Sequence, residues 1–157
     1  MAVLCQLPQA RADDLSDCNN GPPDKVEAAC AAILNDAARP PADRMRAYLG
    51  RSRLYLGVSK FDLAVADAEA ALQLDAKSVL ALLTRGVAYQ RTNRLDQARA
   101  DFDRALEIEP KNPSALLARG NFRSQLRNWP EAISDFDEAI AARQDFAQAF
   151  VLSLIHI

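Results

Sequence analysis

Few residues in this chain have side chains suited to chemistry. It holds three cysteines, Cys5, Cys18 and Cys30, and one histidine, His156, a single residue from its C-terminal end. General acid–base work usually calls for a histidine or for paired carboxylates in a dry cleft. A thiol nucleophile calls for a base beside it, and Cys30 has no histidine partner. No glycine-rich phosphate loop occurs, and no His/Cys cluster has metal-ligand spacing. The stretch "CNNGPPD" offers one carboxylate where calcium takes several oxygens. The expectation is a protein that is not an enzyme and holds no cofactor or metal.

The cysteines suggest a structural role instead. The opening "MAVLCQLPQARADD" has a short apolar run, Ala2 to Leu7, then Pro8, then Ala10-Arg11-Ala12 ahead of two aspartates. That resembles the back half of a secretory signal, with an A-x-A cleavage site and a mature chain expected to start near Asp13, although the basic n-region is missing and the apolar run is short. Export would remove Cys5 and leave Cys18 and Cys30, which an oxidising compartment favours bridging. Cys18 is expected in a loop and Cys30 on the following helix, and the bridge would contribute roughly 3 kcal/mol. Two readings stay open: a periplasmic or secreted protein with this disulfide, or a cytoplasmic one with two unpaired thiols and an uncleaved N-terminus.

Bulk properties exclude several partners. Of 157 residues, 50% are hydrophobic, enough for a core, and 25% are charged. The net charge of -2 gives no case for nucleic acid, which asks for a basic face. No apolar run approaches the ~18 residues of a membrane span.

What must position any functional side chain is a repeat. Three segments align at a spacing of 34 residues, 45–78, 79–112 and 113–146. A small residue recurs as Ser52, Gly86 and Gly120. Alanine recurs at Ala64, Ala98 and Ala132, and again at Ala71, Ala105 and Ala139. A bulky apolar residue recurs at Phe61, Leu95 and Trp129. Each segment reads as two helices joined by a short turn, "VSK", "TNR" or "LRN". Pro130 opens a helix where its missing N–H costs nothing, and Pro110 and Pro113 bracket the passage between repeats. Ahead of them, Val26, Ala29, Cys30 and Ile33 recur at helical spacing. Residues 24–38 are therefore expected as an extra helix capping the first repeat within a segment 24–44, with Asp43 a candidate N-cap. Residues 1–23 are expected as an N-terminal segment and loop.

The pattern resembles the tetratricopeptide repeat (TPR) family, most fully in the middle repeat: Leu82, Gly86, Tyr89, Ala98, Phe102, Ala105 and Pro110. The first repeat departs at Ser52, Ala68 and Ala76, the third at Arg123 and Gln144. The resemblance covers residues 45–146 and implies an all-α fold, a right-handed superhelical solenoid of antiparallel helix pairs. It also implies function by binding, with first helices lining a concave groove for a partner's peptide or helix. The matching groove positions are Arg46, Leu49 and Arg53 in the first repeat. In the second they are Leu80, Leu83, Thr84, Val87 and Gln90, and in the third Ser114, Leu117, Asn121 and Ser124. Leu49, Leu83 and Leu117 would form an apolar strip, or else simply pack against neighbouring helices. With Arg46 and Arg53 at one end, the groove suits an acidic, apolar peptide. Some family members hold a chaperone's C-terminal carboxylate with a lysine–asparagine clamp. Here those positions carry Leu49, Arg53, Thr84, Ser114 and Ala118, so a chaperone C-terminus is not the expected partner. The leading expectation is thus a protein-interaction scaffold, similar to exported bacterial TPR proteins. The alternatives are a cytosolic adaptor, or the repeat module of a longer enzyme or assembly factor.

One regularity goes further. Arg51, Arg85 and Arg119 each precede the small residue, and Asp67, Asp101 and Asp135 each follow sixteen residues later. Each arginine is expected to pair with the aspartate of its own repeat and so set the register of the two helices. Independent, solvated charges are the alternative.

The ending "FVLSLIHI" breaks the pattern. Residues 147–151 continue the start of a fourth repeat, with Asp145 as a cap and Phe150 at the bulky position, but from Leu152 the pattern fails. LSLIHI can be back-translated into the transposon-end adapter of tagmentation libraries. Residues 152–157 are therefore expected to be read-through on a truncated fragment, with a native apolar docking helix as the alternative.

Overall fold

The 34-residue period resolves into paired helices in a computed structural model, which describes residues 9–142, with side chains from residue 14. Cys5, Asp145 and residues 147–157, with the proposed adapter tail, lie outside the described residues. Two compact units divide the chain, Met1–Ala76 and Lys77–Ile157. The first holds α1 (Gln9–Asn20), α2 (Pro23–Asn35), α3 (Pro41–Gly57) and α4 (Phe61–Leu74). The second holds α5 (Val79–Arg91), α6 (Leu95–Ile108), α7 (Pro113–Gln125) and α8 (Trp129–Ala142). There is no strand among the described residues.

Three expectations about the N-terminal third need correction. Cys18 is not in a loop: it sits near the end of a helix, α1, which also runs through Ala10-Arg11-Ala12. Helix α3 begins at Pro41, so residues 41–44 belong to the first repeat's helix and not to the cap. Asp43 lies in the first turn of α3 rather than at its N-cap, which is Pro40, with Pro41 next. Proline supplies the fixed φ for a helix start there, and the N–H it lacks would have been idle. The segment 9–38 is consequently a helix pair and not one capping helix.

That pair is closed tightly. The α1–α2 turn needs Gly21, because a Cβ there would fall 2.3 Å from the Asp17 carbonyl oxygen. Gly21 N–H donates to that same oxygen at 2.9 Å, ending α1. Cys18, Val26, Cys30, Ile33 and Ala47 form a buried core, with Leu15, Leu34 and Leu54 packed around it. A second device missed by sequence reading is Arg39, buried between α2 and α3. Its guanidinium lies 3.4 Å from Asp14, 3.6 Å from Asp36 and 3.9 Å from Asp43. A buried cation must be compensated, and here three aspartates from α1, the linker and α3 share it.

The turns within the three later pairs share one conformation. Ser59, Asn93 and Arg127 all have left-handed φ, at 60°, 61° and 61°. In each, the N–H of the following residue reaches back to the helix: Lys60 to Tyr55, Arg94 to Tyr89, Asn128 to Arg123, at 2.8, 2.8 and 2.9 Å. This is a Schellman ending, which satisfies the last helical carbonyls and reverses the chain in three residues.

Small residues then set the distance between the helices of a pair. A Cβ on Gly86 would lie 2.7 Å from the Phe102 ring, and one on Gly120 2.5 Å from the Phe136 ring. The first repeat departs at both places together: Ser52 replaces the glycine and Ala68 the phenylalanine. The room released by Ala68 accommodates the Ser52 side chain, whose hydroxyl donates to the Ala64 carbonyl at 2.7 Å. In the second unit Phe102 also meets Phe122 of α7, ring centroids 5.6 Å apart, tying one pair to the next.

Candidate functional site

The arginine–aspartate interval places each pair across the two helices of its repeat. Arg51 Nε and Nη2 donate to both oxygens of Asp67 at 2.7 Å. Arg85 does the same to Asp101 at 2.9 and 2.7 Å, and Arg119 to Asp135 at 3.1 and 2.7 Å. The aspartates are buried, Asp135 to 1% exposure, while the arginines are partly open. Bidentate geometry is where arginine exceeds lysine. The hydrogen bonds to Asp67 and Asp135 are the main reason the Arg51 and Arg119 guanidiniums are held above their ordinary pKa.

One position of the repeat, Tyr55, Tyr89 and Arg123, varies around these pairs. Arg51 and Lys60 both lie over the Tyr55 ring, and Arg85 and Arg94 over the Tyr89 ring. Tyr55 also donates to Glu27 of α2 at 2.9 Å, and burial, with that hydrogen bond second, pushes its phenol up. In the third repeat Arg123 stands instead and donates to Asp135 at 2.7 Å. Asp135 thus accepts from two arginines, while Asp103 on α6 balances the excess charge through Arg119 at 3.2 Å.

Cys18 and Cys30 are joined as a disulfide, S–S 2.04 Å, and are 1% and 0% exposed. Its place has a parallel in the repeats. Cys18 stands one 34-residue period before Ser52 and Cys30 one period before Ala64, the two residues whose hydrogen bond marks a close approach of α3 and α4. Helix α3 meets the bridge through Gly50, where a Cβ would lie 2.7 Å from the Cys18 carbonyl oxygen.

Six of the twelve expected groove residues line depressions, one in each unit. In the second unit, α5 and α7 enclose about 340 Å³ lined by Val87, Gln90, Arg91, Ser114, Leu117, Ala118 and Asn121. Five of these were expected as groove residues and Ala118 stands at a clamp position; Arg91 was not expected. Gln90 Nε2 donates to Gln125 Oε1 at 2.6 Å, linking α5 to α7. In the first unit, Arg53 lines a depression of about 310 Å³ with Asn19, Gly21, Pro23, Val26 and Leu54 around Cys18 and Gly50. Arg46 does not join it; its guanidinium lies 3.9 Å from Asp43.

The apolar strip is not open. Leu49 and Leu83 are buried, at 7% and 9% exposure, and only Leu117 is half-buried at a depression. Thr84 is buried with its hydroxyl donating to the Leu80 carbonyl at 2.7 Å. Leu80 and Ser124 are exposed and half-buried, and neither lines the α5–α7 depression. No group of three or more metal-ligating side chains occurs among the described residues. None of the described helices is long and apolar enough to cross a membrane.

Residues 52–121 match the tetratricopeptide repeat family. Solved structures with the same fold include the TPR domain of Arabidopsis OM64, 22% identical over 74% of this chain and 97% of that one, with a TM-score of 0.66. The first TPR of Spaghetti (RPAP3), bound to the HSP90 peptide SRMEEVD, is 19% identical over 71% of this chain and 89% of that one, TM-score 0.65. MamA is 15% identical over 96% of this chain and 83% of that one, TM-score 0.72. No curated protein sequence matches the chain. The fold is an all-α solenoid of helix pairs, and residues 52–121 carry the tetratricopeptide repeat pattern.

Proposed function

We infer that this protein is a non-catalytic scaffold that binds an extended peptide or helix of a partner protein in the depression between α5 and α7. The observation that carries the reading is the convergence there of Val87, Gln90, Ser114, Leu117 and Asn121. Apolar Val87 and Leu117 supply contact area, while the amides of Gln90 and Asn121 can donate to and accept from a peptide main chain. A fold neighbour holding a peptide supports the reading by analogy. The family's carboxylate clamp does not carry over, since Leu49 and Thr84 at its positions are buried. The test is nuclear magnetic resonance of the 157-residue chain titrated with a peptide selected from a random display library. Shifts should concentrate at Val87, Gln90, Leu117 and Asn121. Shifts confined to α6 and α8 would sink the reading.

For the compartment, the disulfide supports export. A bridge buried in the core of α1–α3 fits an exported protein, because cytosolic thiols are kept reduced. Quenching cells in denaturing acid, alkylating the unfolded protein without reductant and then weighing it tests this, since both cysteines are buried in the folded chain. Unmodified Cys18 and Cys30 support export; two alkylated cysteines place the protein in the cytosol as an adaptor.

A further inference from the structure

We propose that α1 is a redox-controlled strap: the Cys18–Cys30 bridge holds it against α2 and α3, and reduction by a dithiol releases it. This is independent of the peptide-binding reading. Between residues 14 and 20, α1 brings Leu15 and Cys18 to the core, and the rest are Asp14, Ser16, Asp17, Asn19 and Asn20. Such a sequence does not hold a helix by propensity. Repeat position makes the same point. One period before Arg51 and Asp67 stand Asp17 and Ile33, so α1 and α2 lack the bidentate ion pair that ties each later pair. At the place of Phe102 and Phe136 the pair has Leu34, only partly buried. The covalent bond stands in for both. Beside it, Arg39 reaches Asp14 at 3.4 Å, a carboxylate 34% exposed and so weakly held. The strap also has a site to control. Cys18, Asn19 and Gly21 wall the depression of about 310 Å³ that Gly50, Arg53 and Leu54 complete from α3. When α1 leaves, that wall goes with it. Gly50 and Ala47, whose carbonyl lies 3.8 Å from Cys18 Sγ, then lose their cover. The step is thiol–disulfide exchange. A thiolate of the dithiol attacks Cys18 Sγ and breaks its bond to Cys30 Sγ, which leaves as a thiolate and takes a proton. The dithiol's second thiolate attacks its own sulfur in the mixed disulfide and expels Cys18, which is protonated in turn. Two electrons and two protons reach the protein, and the dithiol ends as a disulfide. Because Cys18 and Cys30 are 1% and 0% exposed, the rate follows transient lifting of the α1 end.

The experiment compares the full chain, oxidised and after reduction with dithiothreitol, by hydrogen exchange and mass spectrometry. Amides of residues 15–20 should exchange about tenfold faster in the reduced chain, while α4 to α8 keep their rates. Reoxidation should restore the protection. In nuclear magnetic resonance, Gly50, Arg53 and Leu54 should shift on reduction and return on reoxidation. The Cys18→Ala/Cys30→Ala variant should show the reduced pattern with or without dithiothreitol. A response to dithiothreitol in that variant would trace the effect to Cys5 and overturn the proposal. Unchanged protection of α1 once both thiols are free would overturn it too, since Leu15 and Arg39 would then suffice. Equal loss of protection throughout α1–α4 would make the bridge a staple of the whole unit and no strap. A bridge that resists dithiothreitol until the chain is denatured would also end the idea.

Discussion

A buried carboxylate is stable only when its charge is matched, and Asp67, Asp101 and Asp135 show how this chain does it. Arg85→Ala leaves Asp101, 5% exposed, without its bidentate partner. The expected loss is ~3 kcal/mol in a denaturant titration, the cost of an uncompensated buried charge. The double variant Arg85→Met/Asp101→Leu should recover most of it. An unchanged midpoint for Arg85→Ala would mean the pair holds nothing together. The opposite sign is expected at the turns. Ser59, Asn93 and Arg127 occupy a left-handed conformation that costs a residue with a Cβ roughly 1–2 kcal/mol. Ser59→Gly and Arg127→Gly should each raise stability by about 1 kcal/mol, and a drop in thermal midpoint would refute this. The sixteen-residue interval was legible in the sequence because it recurs in all three repeats. Arg91 was not, because nothing in the repeat marks it; only the course of α5 beside α7 puts it in a depression.

Helices in this chain are spaced by what their neighbours lack. Gly86→Ala drives a Cβ into the Phe102 ring at 2.7 Å, in the middle of the α5–α6 contact. Overpacking of this kind costs about 1–3 kcal/mol. Gly86→Ala paired with Phe102→Leu should recover part of that, as Ser52 with Ala68 does in the first repeat. Equal destabilisation by the single and the paired variant would discount ring contact as the cause. Helix α1 is a different case. Its sequence, "QARADDLSDCNN", is rich in Asp, Ser and Asn, which compete with helical hydrogen bonding, and shows no apolar stripe. Its own residues therefore point to a loop, and tertiary contacts rather than propensity hold it as a helix. Cys18→Ala/Cys30→Ala should therefore cost ~3 kcal/mol and raise amide hydrogen exchange in α1 first. Protection of α1 as strong as in wild type would show that Arg39 and the Leu15 contacts suffice without the bridge.

At the scale of the whole molecule, charge predicts behaviour in solution. With a net charge of -2 at pH 7 and a sequence pI near 5.4, repulsion between copies is weak. Solubility should pass through a minimum near that pH and recover on either side. A turbidity scan with its peak well away from the pI would point to association by apolar surface instead.

The sequence by itself determined the three later helix pairs, their 34-residue period and the partners Arg51–Asp67, Arg85–Asp101 and Arg119–Asp135, because periodicity and interval are local or recurring properties. It also marked Val87, Gln90, Ser114, Leu117 and Asn121, since repeat position fixes which face of a helix a residue occupies. Only the tertiary structure decided that Leu49 and Leu83 are core rather than an open strip, that residues 9–20 are helical, and that Arg39 is buried among aspartates while Arg53 and Arg91 stand exposed. Burial and charge compensation depend on what another helix brings alongside, and a side chain's own sequence neighbourhood carries no record of that.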